Sequence, residues 1–171
     1  MNHETLTNEE AIKKLKEMVD EIKVCMFATV QEDYSLFSRP MQSVQVDEGG
    51  NIWFFTNEYS GKVDDISKEN TVYLMYSHPG QNSYLHIKGK ASVVNDKEKI
   101  KELWSPIVKA WFPKGIDDPA LSLLRIEANE ASYWDGASNK FVVFFNILKA
   151  IVKGEKHDQG EFGEIRDINR S

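Results

Sequence analysis

Apolar side chains at Ala11, Ile12, Leu15, Met18, Val19 and Ile22 recur every three or four positions, which predicts an amphipathic opening helix ending near Lys23. Thr7-Asn8-Glu9-Glu10 supplies capping-box spacing at its start. The period then changes. Residues 24–31 form a compact apolar and β-branched run, the signature of a buried strand. Residues 36–46 predict a second strand, with Met41, Ser43 and Gln45 on one face and Gln42, Val44 and Val46 on the other. Asp47-Glu48-Gly49-Gly50-Asn51 is a hairpin signal leading into a third strand over 52–56. A short helix is predicted over 60–68, with Val63 and Ile66 facing inward.

Strands are predicted at 71–77 and 83–94 around the turn His78-Pro79-Gly80-Gln81, with Gly89 marking a bulge or a barrel corner. After Asn95-Asp96-Lys97-Glu98, apolar residues at 100, 103, 104, 107, 108 and 111 keep helical spacing past Pro106, where a kink is expected. Leu124, Ile126 and Ala128 alternate within a last strand over 121–134. Residues 141–153 predict a closing amphipathic helix ended by Gly154, and 155–171 a polar, flexible tail. Six strands with hairpin-like connections and no βαβ alternation predict a mainly β fold, a small antiparallel barrel with peripheral helices. One domain is expected over 1–154.

Composition narrows the function classes. A formal net charge of -6 over 171 residues argues against general nucleic-acid binding. The single cysteine, Cys25, lies between apolar residues, so a packed thiol in a reducing cytoplasm is expected. The N-terminus lacks signal-peptide character, and the longest apolar run, 141–152, is too short to span a bilayer. His3, His78, His86 and His157 show no metal-ligand spacing, and no nucleophile motif or phosphate-binding glycine loop is present. The expectation is a cytoplasmic protein without membrane, metal or nucleic-acid partners.

Two stretches carry candidate chemistry. In Ser38-Arg39-Pro40-Met41 a guanidinium interrupts a strand, so it either points to solvent or meets an anion. Pro40 cannot donate to a ladder, which predicts an edge or a bulge there. Ser60-Gly61-Lys62 offers a hydroxyl, free amides and a cation at a helix start, with Thr56 adding a hydroxyl. The same letters also describe an ordinary serine cap followed by a surface lysine. Trp53, Trp104, Trp111 and Trp134 are core fillers or walls for a flat aromatic ligand, a ligand role suiting Trp111 and Trp134 at element ends.

With Phe27-Ala28-Thr29-Val30, Trp53-Phe54-Phe55-Thr56, Trp111-Phe112-Pro113 and Tyr133-Trp134-Asp135, these stretches resemble the pyridoxamine 5'-phosphate oxidase-like, flavin-mononucleotide-binding split barrels, nearest the general stress protein 26 branch. The resemblance implies an antiparallel split barrel of Greek-key type and a homodimer with FMN in the cleft between protomers. It places Arg39, Lys62, Ser60 and Thr56 at the phosphate and the backbone around Pro40 and Met41 at the ring edge, with Ser38 also in the cofactor-binding set. Phe55, Trp111 and Trp134 join the cofactor-binding set, with Trp134 reaching across from the other protomer. Where the oxidases carry Arg-Lys after the serine this chain has Gly61-Lys62, and Val44 replaces a ring-contacting lysine. The implied function is therefore a flavin-binding stress protein, an FMN-dependent oxidoreductase, with a non-catalytic flavin-binding or sensing module or a structural dimer that has lost the cofactor as alternatives, and not pyridoxamine phosphate oxidation itself. No catalytic residue is assigned.

Overall fold

The computed structural model describes residues 8–135 and 161–166. The chain runs α1 (Asn8–Ile22), β1 (Val24–Val30), β2 (Leu36–Val46), β3 (Asn51–Asn57), α2 (Gly61–Lys68), β4 (Thr71–His78) and β5 (Ser83–Val94). It continues with α3 (Lys97–Leu103), α4 (Pro106–Trp111), β6 (Leu121–Asp135) and β7 (Glu161–Arg166). The sheet order is β3-β2-β1-β4-β5-β6-β7, and β3 also pairs with β6. That second pairing closes six antiparallel strands into a barrel. β4 returns beside β1 after the β1-β2-β3 meander, which is the Greek-key order.

β3 shows why the core divides in two. Ile52 and Phe54 point into the barrel beside Phe27, Leu74, Leu85, Ile87, Leu124 and Ile126. Trp53 and Phe55 point outward, onto Ile100, Val108, Leu121 and Leu123. A strand covered on both faces has no polar side, hence its unbroken apolar run. Phe27 meets Phe54 edge-to-face at 5.4 Å between ring centroids. Burying either ring contributes roughly 1.5–3 kcal/mol. The α1 stripe of Ala11, Leu15, Met18 and Val19 joins the inner core, and Ile66 of α2 does so too.

Three differences from the expected elements have physical causes. The helix expected across Pro106 is two helices: Trp104 and Ser105 are extended, and Pro106 opens α4 at its first turn, where its missing N–H is harmless. The bulge in β2 lies between Ser43 and Gln45, not at Pro40. Its extra residue changes the parity of the strand, so Ser43 and Val46 face the same interior while Gln45 sits opposite the outward Trp53. Glu161–Arg166, inside the expected tail, pairs with the second half of β6. Ladder bonds there do not require an apolar sequence. The expected helix over 141–153 and the cap residue Thr7 lie outside the described residues. Gly89 does mark a bulge: the β5–β6 register shifts there, and a Cβ would stand 2.5 Å from the Glu127 carbonyl oxygen.

Candidate functional site

The free half of β2 is the starting point. Leu36–Gln42 pairs with β1 alone, and β3 joins only from Ser43 onward. Among the described residues this half is a sheet edge, which accommodates Pro40 without a lost ladder bond on its open side. Arg39 stands opposite Phe27 and therefore shares its face of the sheet. Its guanidinium lies over the Phe37 ring, 4.7 Å from the centroid.

Asp65 and Thr29 hold one edge of that guanidinium. Thr29 Oγ1 donates to Asp65 Oδ2 at 2.8 Å and accepts from Arg39 Nη2 at 3.3 Å. Nη2 is also 3.7 Å from Asp65 Oδ2, and the two side chains are only 20% and 21% exposed. Arg39 Nη1 is buried and has no hydrogen-bond partner. An unsatisfied buried donor of this kind costs on the order of 1–3 kcal/mol.

Ser60 caps α2 by position, yet its hydroxyl makes no capping bond to the helix amides. It accepts instead from Lys62 Nζ at 3.3 Å. The Lys62 ammonium is held below its ordinary pKa, first by burial and then by repulsion from Arg39. Burial also lowers Arg39, while attraction to Asp65 works the other way. Two cations that repel each other thus share a partly buried spot, Arg39 alone pairing with Asp65, and one guanidinium nitrogen is left over. No side chain rises from Gly61, where a Cβ would meet nothing within 4 Å. This arrangement can accept an anion with several oxygens.

The remaining candidate residues distribute around the barrel. Ser38 and Pro40 are exposed opposite Ala28 and Met26, and Met41 packs partly buried against the inner core. Phe55 is wedged outside the barrel, 5.9 Å from Trp104 and 6.2 Å from Phe112 between ring centroids. Thr56 is sealed at the end of β3 opposite Ser122, its hydroxyl donating to the Asn57 carbonyl at 3.4 Å. Trp111 closes α4 with 75% of its surface exposed, and Trp134 is half-buried opposite Tyr84 on β5. Val44, at the bulge, packs against the outer core. Thr29 and Asp65 are the members that motif reading leaves out. Their signals are slight: a hydroxyl within an apolar strand, and an acid one helical turn after Lys62.

Among the described residues no helix is long and apolar enough to cross a membrane, and no group of His, Cys, Asp and Glu is placed to hold a metal ion. General stress protein 26 of Bacillus subtilis is 30% identical over 127 residues, spanning 72% of this chain and 88% of that protein. The general stress FMN/FAD binding protein of Xanthomonas citri is 30% identical, with a TM-score of 0.65 over 78% of this chain and 93% of the other. A Clostridium acetobutylicum protein related to general stress protein 26 shares the fold with 24% identity and a TM-score of 0.64, covering 78% and 94% of the two chains. The family model for pyridoxamine 5'-phosphate oxidase-like proteins matches residues 10–158. A closed Greek-key barrel with a cationic notch at its β2 edge, matched over nearly its whole length, belongs to the pyridoxamine 5'-phosphate oxidase-like family.

Proposed function

We propose that the notch formed by Arg39, Lys62 and Ser60 binds the phosphate of flavin mononucleotide, with the flavin ring lying along Ser38-Arg39-Pro40-Met41. The buried, unpartnered Nη1 of Arg39 beside the depressed Lys62 carries this reading. A phosphate would satisfy the first and raise the pKa of the second back toward its ordinary value. The FMN/FAD binding of the Xanthomonas citri relative supports the ligand class. Bound flavin supplies redox chemistry, and the protein is read as an FMN-dependent oxidoreductase of general stress type. The residues of this chain bind and orient it.

The site is read as lying between two copies of the chain. Met26 has Pro40 on one side and Met75 on the other, and Val24, Met26 and Met75 expose 48%, 42% and 38% of their surface. An apolar row across three strands is suited to a partner of the same kind. Trp111, with its exposed indole, and Trp134 would then wall the ring, and Thr56 and Phe55 would back the cleft. We read the protein as cytoplasmic, a reading that its single cysteine, free and buried, supports.

Titration of the purified protein with FMN, followed by flavin absorbance and fluorescence, tests this. Uptake is expected, with Arg39→Ala and Lys62→Ala each weakening it while leaving the circular dichroism spectrum intact. A protein that takes up no FMN overturns the reading. Bound flavin that NAD(P)H does not reduce would assign the protein to flavin storage or sensing rather than catalysis.

A further inference from the structure

We propose that Asp65 is a resident counter-anion that sets how tightly this site holds a phosphate monoester. The inference rests on the phosphate reading above. Asp65 Oδ2 faces the Nη2 edge of Arg39, directly at 3.7 Å and through the Thr29 hydroxyl, which spans the two at 2.8 Å and 3.3 Å. The Nη1 edge has no partner. The guanidinium is therefore divided, one edge tied to the protein's own carboxylate and the other left for a ligand.

Two consequences follow from charge and geometry. Without ligand, Asp65 partly compensates the Arg39 guanidinium, which the neighbouring Lys62 only repels. With ligand, the same carboxylate lies close to a phosphate that carries nearly two negative charges at neutral pH, and it lowers the affinity. The site is built for a cofactor that comes off, not one held permanently. A purely structural aspartate would anchor Arg39 and would have no such opposing effect on the two states.

Asp65→Asn separates these roles, because its amide oxygen still accepts from Thr29 while the charge is gone. Asp65→Ser is a second neutral variant, and Asp65→Glu keeps the charge. FMN and riboflavin affinities are measured by fluorescence titration, with melting temperatures of each protein with and without FMN. Both neutral variants are expected to bind FMN on the order of three- to tenfold more tightly, the weakness of the effect reflecting partial exposure. Riboflavin, which lacks the phosphate, binds unchanged, and Asp65→Glu stays close to wild type. The neutral variants melt lower than wild type when empty and recover the difference when loaded. FMN affinity that is unchanged or reduced in both neutral variants, while Arg39→Ala weakens it, overturns the proposal and leaves the phosphate site standing. Arg39→Ala binding FMN like wild type overturns the phosphate site and this inference with it.

Discussion

Phe27 and Arg39 are cross-strand partners, the first fully sealed in the barrel and the second at its rim with a half-satisfied guanidinium. The rigid core thus fixes the backbone from which Arg39 projects, and its fork is aimed before any ligand arrives. Arg39→Lys keeps the charge and loses the fork, including the contact to Thr29. FMN affinity is expected to fall roughly ten- to a hundredfold, with riboflavin affinity unchanged, as read by fluorescence titration.

The space above Gly61 is open, so Gly61→Arg adds a cation where the oxidases of this family carry one. Gly61 is the first residue of α2, where replacing glycine gains less than the roughly 1 kcal/mol of a helix interior, and a positive charge in the first turn costs about 0.3–1 kcal/mol. Stability therefore changes little. Affinity for FMN rises about tenfold through one more charged hydrogen bond. Equal melting curves with tighter FMN binding are the expected pair of results.

Met26→Glu places a charge in the centre of the exposed apolar row. The position is 42% exposed, so the isolated protomer should lose no more than about 0.5 kcal/mol. With this row as the dimer seam, sedimentation velocity is expected to show dimers for the wild-type protein and monomers for the variant, with FMN affinity falling in parallel. Dimers that persist in the variant place the interface elsewhere.

Gly89→Ala tests the bulge that β6 makes opposite Gly89, at Asn129. The added methyl would meet the Glu127 carbonyl oxygen at 2.5 Å and Ile126 Cγ2 at 3.0 Å, neither of which can move without shifting β6. A loss of roughly 1–3 kcal/mol is expected from denaturant midpoints.

Cys25 lies inside the barrel opposite Tyr76, and burial pushes its thiol up to about 12 from the ordinary 9.0. The folded pKa is the higher one, so the associated stability is complete below 9.0 and is lost as pH climbs from there toward about 12. Iodoacetamide at pH 8 is expected to leave the native protein unmodified and to label it once urea unfolds it. Labelling of the native protein at a free-thiol rate would show that the interior opens without unfolding.

Strand positions were legible because turn residues and side-chain alternation are local properties. The ends of β2 and β5 fall where the pattern puts them, and Gly89 marks a bulge as its place in an apolar strand implied. The bulge at Val44 was not legible, because two outward residues in succession look like ordinary alternation until the partner strand is known. Pro106 predicted a disturbance, yet the helical spacing ran on through Trp104 and Ser105, where the chain is extended. Arg39 and Lys62 stood out as cations in unusual settings. Asp65 and Thr29 did not, since only the packing of α2 over β1 brings an acid to that hydroxyl.

The pairing of β3 with β6 has a consequence for synthesis. Asn51–Asn57 meets its second neighbour only when residues 121–127 have been made. Until then the run Trp53-Phe54-Phe55 lies on an open edge, an aromatic template for wrong association between nascent chains. Such distant strand pairing also slows barrel closure. The C-terminal half of the barrel is thus the shield of the N-terminal half, and a chain truncated before β6 is expected to aggregate rather than fold.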